Sequence, residues 1–261
     1  MKTVILAGGL GSRMREETEF KPKPMVEIGG NPILWHIMKL YNHFDYREFV
    51  ICMGYKQEKI IEYFIDYSTM DQNININIEN NNTLSFENKI TGLEDVRVTL
   101  VNTGLETNTA GRILQIKDQI SSGDSFMLTY GDGLSNVNIK ELVGFHNSHS
   151  GIATFSAIKT RSRFAVVETD ENNCVTMFDE KAELENRING GFMVCDWKVF
   201  DYISNNKESF EKTTLKNIAG EKKLYAYNHN GYFQPMDTYR EAKELNQLWS
   251  EGKAPWKVWN E

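Results

Sequence analysis

The feature that most constrains the fold is a glycine-rich run that directly follows the first apolar segment. Residues 3–6 are β-branched or apolar, which is typical of a buried parallel strand. The chain then reads Leu6-Ala7-Gly8-Gly9-Leu10-Gly11-Ser12-Arg13. Glycines in such a turn let backbone N–H groups approach an anion closely, because no Cβ intervenes. The run therefore predicts a strand that ends in an anion-binding loop.

Hydroxyl and cationic side chains accompany this loop. Ser12 supplies a hydroxyl and Arg13 a guanidinium fork, both suited to phosphate oxygens. Further on, Lys21 and Lys23 stand in a segment stiffened by prolines. Together these groups predict a polyphosphate site. A plain strand-to-loop turn with solvated cations is the alternative interpretation.

The glycine spacing narrows the class of phosphate site. Met14 stands where a G-x-G-x-x-G fingerprint has its third glycine, which disfavours a dinucleotide fold and a nicotinamide oxidoreductase. The loop also lacks the Gly-Lys-Ser/Thr ending of a P-loop. Neither of these two common loops is therefore expected.

The rest of the chain alternates strand-length apolar runs with helical periodicity. Asn31-Pro32 is interpreted as an N-cap followed by proline at the first helical position. Residues 73–87 alternate and turn at an asparagine run, which predicts a β-hairpin. The pattern predicts strands at 48–53, 97–101, 125–130, 151–158, 164–168, 175–178, 187–194 and 223–227, and helices at 58–67, from 109, at 197–204 and at 238–250.

This order of elements predicts an α/β fold. We expect a Rossmann-like mixed, mainly parallel central sheet flanked by helices, with the hairpin as an excursion. The 261 residues show no linker or repeat, so residues 1–261 are interpreted as one domain. In such a sheet, ligands gather at the carboxyl ends of the strands.

The amino-acid composition limits which binding partners and which cellular compartment are expected. The net charge of −7 argues against a nucleic-acid surface, so anionic substrates must meet a local cationic cluster. Cys52, Cys174 and Cys195 lack metal-site spacing and are interpreted as buried, unpaired residues in a reducing compartment. The histidines are interpreted as surface or packing residues. With no recognisable signal peptide or membrane span, we expect a cytoplasmic protein without a membrane partner.

Two aspartates have positions suited to metal binding. Asp132 lies between two glycines after the strand at 125–130, and its carboxylate is a hard oxygen ligand suited to Mg²⁺. Asp237 precedes the last predicted helix. The alternatives are a turn aspartate bonded to its own backbone and a plain N-cap, respectively.

Several separated motifs carry a family resemblance. The opening LAGGLGSRMREETEFKPKPMVEIGGNPILWHIMKLY resembles the signature of sugar-phosphate nucleotidyltransferases. Its KPKPMVEIGG, followed by TYGDGLSNV, INGGFMV and YFQPMDTYRE, is similar to the glucose-1-phosphate cytidylyltransferases. The similarity runs from Lys2 to Trp259, with the motifs in the family's order.

The resemblance implies an enzyme that joins CTP to a sugar 1-phosphate, glucose 1-phosphate above all, with Mg²⁺. The products are a CDP-sugar and pyrophosphate, for nucleotide-sugar and surface polysaccharide (lipopolysaccharide) biosynthesis. It implies a homo-oligomer, for which a hexamer is one form, with the 73–87 hairpin in subunit contacts. Residues 1–135 are then mainly nucleotide-binding, and residues 136–261 mainly bind the sugar phosphate and form the C-terminal helices.

The resemblance also implies site residues. Lys23, Arg13 and Asp132 are expected to be catalytic, with Lys23 rather than Lys21 in the family's register, and Asp132 and Asp237 to hold the metal. Nucleotide contacts are implied for Leu6, Ala7, Gly8, Gly9, Gly11, Ser12, Arg13, Lys23, Thr103, Gly111, Arg112 and Asp132. Substrate contacts are implied for Tyr130, Glu180, Lys181, Asn189, Gly190 and Asp237.

The chain departs from the family pattern at a few positions. They are Ala110, Ala165, Ala182 and Thr213-Thr214, in place of glycine, glycine, proline and Glu-Pro respectively. Because the changes at 165 and 213–214 fall in the acceptor half, a different sugar 1-phosphate or another small phosphorylated acceptor is the alternative substrate. A catalytically silent, nucleotide-sensing subunit is a further alternative, disfavoured because Lys23, Asp132 and Asp237 are all present.

Overall fold

Strands and helices alternate along the chain, as the sequence predicts. The computed structural model describes residues 1–69, 93, 95–160, 165–180, 182 and 186–259. Its strands are β1 (Thr3–Leu6), β2 (Glu27–Ile28), β3 (Asn31–Pro32), β4 (Glu48–Met53), β5 (Arg97–Asn102), β6 (Ser125–Tyr130), β7 (Gly133–Ser135), β8 (Ala153–Ile158), β9 (Val166–Thr169), β10 (Val175–Asp179), β11 (Ile188–Asp196), β12 (Leu224–His229) and β13 (Phe233–Pro235). Its α-helices are α1 (Arg15–Thr18), α2 (Ile33–His43), α3 (Gln57–Thr69), α4 (Thr109–Gln115), α5 (Ile139–Asn147), α6 (Leu215–Gly220) and α7 (Tyr239–Ser250).

The central sheet has the strand order β12-β8-β11-β6-β1-β4-β5 within the described ranges. Strand β1 pairs in parallel with β4 and β6, β4 with β5, and β12 with β8. Strand β11 runs antiparallel to both of its neighbours, β6 and β8. The predicted mixed, mainly parallel sheet flanked by helices is therefore confirmed.

Strand β1 lies between β6 and β4 in the sheet and is buried along its whole length. Ile5 belongs to a core that includes residues of α2 and α7, whereas Val4 belongs to a core on the other face that includes residues of α4 and α6. A strand covered on both faces needs apolar side chains on both, which explains its continuous apolar run. Its last residue, Leu6, is in register with Cys52 of β4 and Tyr130 of β6, so these strands end at the same edge.

The predicted N-cap at Asn31 is wrong. Asn31 and Pro32 form strand β3, which pairs with β2 through a tight turn, and helix α2 begins only at Ile33. Gly29 and Gly30 make this turn, with φ of 61° and 83°. Because this turn pairs Asn31 and Pro32 with β2, the helix begins only after them. The predicted hairpin at 73–87 lies outside the described residues.

The cysteines do not share one environment. Cys52 and Cys195 are buried, and burial raises the pKa of each thiol to about 12. Cys174 is exposed, so its interpretation as a buried residue is wrong. It follows a tight turn in which its N–H donates to Asp170 Oδ1 at 2.9 Å. None of the helices in the described ranges is long and apolar enough to cross a membrane.

Candidate active site

A cavity of about 280 Å³ opens where β1 and β6 end. This is the edge at which a parallel sheet is expected to hold its ligand. The lining residues are Leu6, Ala7, Gly8, Gly9, Gly11, Ser12, Lys23, Pro24, Thr107, Asn108, Thr109, Arg112, Tyr130, Gly131 and Asp132. The glycine loop, the predicted lysine and the predicted aspartate therefore meet at one place.

The glycine loop is held from the side away from the cavity. Gly11 has a φ of +62°, a conformation that a β-carbon would strain, and its carbonyl accepts from Met14 N at 2.9 Å. The Thr18 hydroxyl donates to Met14 O, and Tyr55 donates to Thr18 O at 3.0 Å. For Arg13 the structure describes only the backbone, in the 3₁₀ turn Ser12–Met14. Its predicted contact with phosphate stays a prediction.

The Lys23 ammonium joins the two predicted metal ligands. Its Nζ lies 2.7 Å from Asp132 Oδ2 and 2.6 Å from Asp237 Oδ1. Lys23 is itself buried, at 8% exposure, in a 3₁₀ turn that begins after Pro22. Lys21 is more exposed and pairs with Glu27 at 3.3 Å. Of the two lysines, Lys23 is thus the one that the fold places in the cavity.

Pairing between β7 and β13 brings the two aspartates together. Asp132 directly precedes β7 and Asp237 lies two residues after β13, and Met236 N donates to Asp132 O at 2.8 Å. Thr238, rather than Asp237, caps helix α7, in a capping box with Glu241. The interpretation of Asp237 as a plain N-cap is therefore wrong.

The two aspartates suit a divalent cation in donor type. Both carboxylate oxygens lie within 2.7 Å of one nitrogen atom, so they face a common point. Mg²⁺ binds hard oxygens and commonly takes one or two carboxylates together with substrate phosphates and water. The described residues contain no cluster of three or more His, Cys, Asp or Glu side chains that could hold a metal. The pair therefore fits a cation that arrives with a phosphate substrate.

Arg112 lines the cavity, but its guanidinium is already hydrogen-bonded. Nη1 donates to Thr103 Oγ1 at 2.7 Å and to Gly104 O at 2.8 Å, and Nη2 donates to Gly8 O at 2.9 Å. Burial lowers the pKa of the guanidinium. Arg112 therefore ties the glycine loop to the end of β5, and its implied contact with the nucleotide stays a prediction.

Two residues implied to bind the nucleotide lie outside the cavity lining. Thr103 is buried, and its hydroxyl donates to Met53 O at 2.6 Å while it accepts from Arg112. Gly111 is covered by Asn206, whose Cα would lie 2.5 Å from a β-carbon at position 111. A glycine is therefore needed at 111, whereas Ala110 packs in the core without such a restriction.

Of the residues implied to contact the substrate, Tyr130 lines the cavity and Asp237 is paired with Lys23. The others do not join them in the described residues. Glu180 is exposed after β10, and Asn189 is exposed with its Oδ1 accepting from Gly191 N at 2.8 Å. Gly190 is buried in β11. These three do not line the cavity, and Lys181 lies outside the described residues. Their roles stay predictions.

The departures from the family pattern also lie away from the cavity lining. Ala165 and Ala182 are half-buried. Thr213 and Thr214 belong to a π-helical turn, Phe210–Thr214, that leads into α6, and Thr214 is buried. Three further residues line the cavity although no sequence motif predicted them: Thr107, Asn108 and Thr109. Asn108 caps helix α4 by accepting from Thr109 N, and an asparagine just before a predicted helix is the signal that could have indicated it.

Comparison with known proteins identifies the class. Residues 2–257 match the family model described as nucleotidyl transferase, and the chain belongs to that family. A glucose-1-phosphate cytidylyltransferase of Salmonella typhi is 42% identical over 260 residues, covering 99% of this chain and 100% of the relative. A Bacillus subtilis protein named "Probable glucose-1-phosphate cytidylyltransferase" is 42% identical over 261 residues, with the same shares covered.

Solved structures agree on the fold. UDP-glucose pyrophosphorylase complexed with UDP-glucose superposes with a TM-score of 0.70 at 15% identity, over 96% of this chain and 98% of that chain. At this identity the likeness shows the fold alone. The family model and the full-length relatives confirm the family resemblance that the motifs predicted.

Proposed function

We propose that the protein transfers the cytidylyl group of CTP to glucose 1-phosphate, giving CDP-glucose and pyrophosphate. The 42% identity to a glucose-1-phosphate cytidylyltransferase over the whole chain carries this proposal. The cluster of Lys23, Asp132 and Asp237 beside the glycine loop supports the reaction class. All three side chains being present disfavours the catalytically silent subunit.

The proposed chemistry is an in-line displacement at the α-phosphorus. An oxygen of the sugar phosphate forms the new bond to phosphorus, and the bond to the oxygen that bridges the α- and β-phosphates breaks as pyrophosphate leaves. The attacking phosphate is anionic at neutral pH, so no general base is required. Lys23 and the backbone N–H groups of the glycine loop stabilise the charge that develops on the phosphoryl oxygens.

Asp132 and Asp237 are proposed to hold Mg²⁺, which would neutralise phosphate charge and orient the reacting groups. Lys23 is paired with both carboxylates in the structure. An ammonium has three N–H donors, so Lys23 can donate to a phosphate oxygen while it stays paired with both carboxylates. The aspartates thus keep Lys23 oriented toward the cavity until an anion enters.

The remaining sequence-based expectations are part of the proposal. Residues 1–135 supply most of the nucleotide site and residues 136–261 most of the sugar-phosphate site, within one domain. Glu180, Lys181, Asn189 and Gly190 contact the sugar phosphate in the bound state. We further propose a cytoplasmic homo-oligomer, which light scattering on the purified protein tests, and a role in nucleotide-sugar supply for surface polysaccharide.

The deciding experiment is pyrophosphate release with Mg²⁺ across four nucleoside triphosphates and several phosphorylated acceptors. Turnover with CTP and glucose 1-phosphate supports the proposal. If CTP reacts only with another acceptor, that acceptor replaces glucose 1-phosphate in the proposal. Positions 165 and 213–214 then become the first candidates for determining acceptor specificity. Absence of turnover with every pair favours the silent subunit instead.

A further inference from the structure

A carboxylate that the sequence analysis did not select lies directly behind the cavity wall. Glu211 stands in the π-helical turn Phe210–Thr214 and is half-buried. Its Oε1 accepts from the Tyr130 hydroxyl at 2.5 Å, and its Oε2 accepts from Thr109 Oγ1 at 2.9 Å. Tyr130 and Thr109 both line the cavity, at the end of β6 and the start of α4. Glu211 therefore joins two walls of the site.

The segment that carries Glu211 is fixed against helix α4. Asn108 N donates to Asn206 O at 2.9 Å and Ala110 N donates to Glu208 O at 3.1 Å. Phe210 N donates to Thr109 Oγ1 at 2.8 Å, so the threonine hydroxyl is oriented to donate its own proton to Glu211. The close approach of Asn206 to Gly111 belongs to the same packing. The position of Glu211 is thus set by the contacts that the residues just before it make with the start of α4.

The hydrogen bonds keep Glu211 ionised. Burial acts to raise the pKa of Glu211, but donation from Tyr130, Ser209 and Thr109 outweighs it and holds the pKa below its usual range. A phenol is a much weaker acid than a carboxylic acid, so the proton between the two oxygens belongs to Tyr130. The phenol therefore keeps its proton and the carboxylate accepts it in a hydrogen bond.

A phenol has one proton, and Tyr130 uses it in the hydrogen bond that it donates to the Glu211 carboxylate. The Tyr130 oxygen then has only lone pairs left for a ligand. A phosphate oxygen also offers only lone pairs, so this part of the wall cannot donate to it. A substrate hydroxyl or amino group, by contrast, can donate to the Tyr130 oxygen.

We infer that Glu211 is a positioning residue that fixes the Tyr130 proton away from the cavity, so that Tyr130 accepts a hydrogen bond from a hydroxyl or amino group of the nucleotide or sugar. This inference rests on the proposed function for the identity of the substrates. It assigns Tyr130 to the substrate's hydrogen-bond donors and the glycine loop to the phosphates. It also gives residues 136–261 a part in shaping the nucleotide cavity.

The test compares substrates that differ by one hydrogen-bond donor. The panel is CTP, UTP, 2′-deoxy-CTP, glucose 1-phosphate and glucose 1-phosphates that each lack one hydroxyl. For the wild type we expect one analogue to lose roughly tenfold or more in kcat/KM, because the lost bond leaves a buried acceptor unpaired. In Tyr130→Phe that discrimination should fall to within about twofold, and in Glu211→Gln it should shrink clearly, because the glutamine can donate to the phenol oxygen.

The same panel is measured by calorimetric binding, which keeps the test independent of turnover. The matched control is the exposed pair Tyr202 and Glu221, joined by a 2.6 Å hydrogen bond away from the cavity. Tyr202→Phe and Glu221→Gln should change thermal stability as the site variants do, yet leave every substrate ratio at its wild-type value. The double variant of Tyr130 and Glu211 should lose little more than Tyr130→Phe alone, because both act through one hydroxyl.

The outcomes separate the inference from the proposed function. Wild-type discrimination that persists unchanged in Tyr130→Phe and Glu211→Gln, in turnover or in binding, overturns the inference while the proposed function stands. A wild type without turnover on CTP and glucose 1-phosphate contradicts the proposed function. In that case the calorimetric binding constants decide the role of Glu211, through the ratio between each substrate and its analogue in the wild type and in the variants.

Discussion

Two buried basic side chains in this molecule, Lys23 and His36, have opposite surroundings. In the cavity, the Lys23 ammonium is paired with Asp132 and Asp237 at 2.7 and 2.6 Å. On the other side of the sheet from α4, His36 is fully buried, with the rings of Trp35 and Trp249 at 4.9 and 4.7 Å. One environment supplies carboxylates, and the other supplies aromatic rings.

The hydrogen bonds around His36 select its neutral form. Trp256 Nε1 donates to His36 Nδ1 at 3.3 Å, so the ring proton lies on Nε2, which donates to Ile28 O at 2.8 Å. Burial outweighs the Ile28 bond and lowers the pKa of His36 to about 4. The aromatic region therefore holds His36 in its neutral form, whereas the cavity surrounds Lys23 with two carboxylates. This difference distinguishes a packing site from the site at which we propose that phosphates bind.

The largest expected effect comes from removing one carboxylate of the cavity. Asp132→Asn should lower pyrophosphate release by at least about 1,000-fold, because a neutral amide binds neither a divalent cation nor Lys23 as strongly. Thermal unfolding should show that the fold is kept. Asp45→Asn, at an exposed aspartate paired with Lys140, is the matched control. Normal turnover in Asp132→Asn would remove the metal assignment.

The next variant removes the charge that the cavity retains. Lys23→Met should lower kcat by at least about 100-fold, because the ammonium stabilises charge on the phosphoryl oxygens. It also leaves two carboxylates facing one point, so Mg²⁺ without nucleotide should raise the Tm of Lys23→Met more than that of the wild type. Lys21→Met is the control and should behave as the wild type in both measurements. Equal Mg²⁺ shifts in Lys23→Met and wild type would contradict the shared cation position.

The third prediction tests the neutral histidine by pH. The folded-state pKa of about 4 lies below the unfolded value of 6.5, so the stabilisation is complete above pH 6.5 and is lost as the pH falls toward 4. Between pH 7 and 4.5 this amounts to about 2 kcal/mol of unfolding free energy. His36→Gln should lose correspondingly less over this range in urea unfolding. The exposed His43→Gln should follow the wild type, and an unchanged pH profile in His36→Gln would refute the assignment.

The smallest expected effect concerns charge at the outside of the aromatic region. Lys39 Nζ lies 5.6 Å from the Trp35 ring and 5.7 Å from the Trp259 ring, where a cation interacts favourably with ring faces. Lys39→Met should lower the unfolding free energy by about 0.5 to 1 kcal/mol at low salt. Lys257→Met, at 5.4 Å from Trp249, should act similarly. A higher free energy of unfolding in both variants than in the wild type would contradict a stabilising interaction between these lysines and the rings.

Sequence patterns predicted the parts of the site that follow directly from local chemistry. The strand 3–6 and its glycine loop, the buried strands 48–53 and 125–130, and the aspartate at a strand end all lie as expected. Each depends on a short segment whose composition fixes both its conformation and its place at the sheet edge.

Other features depend on residues far apart in the chain. Strands β7 and β13 were not predicted, because three-residue strands have no periodicity to detect, yet their pairing brings Asp132 and Asp237 to Lys23. The N-cap at Asn31 was predicted wrongly, because pairing with β2 overrides the local capping preference. Glu211 gave no local signal, because its partner Tyr130 lies 81 residues away.

The amino-acid sequence was enough to predict the family, the α/β fold and the place of the glycine loop at the end of the first strand, because glycines, cations and apolar runs act over a few neighbouring residues. Only the folded structure shows that Lys23 is paired with both aspartates, that Arg112 bonds to backbone carbonyls, and that His36 is neutral. The protonation and hydrogen-bonding partner of a buried polar group depend on every group packed around it. Those groups come together only when distant segments of the chain have folded.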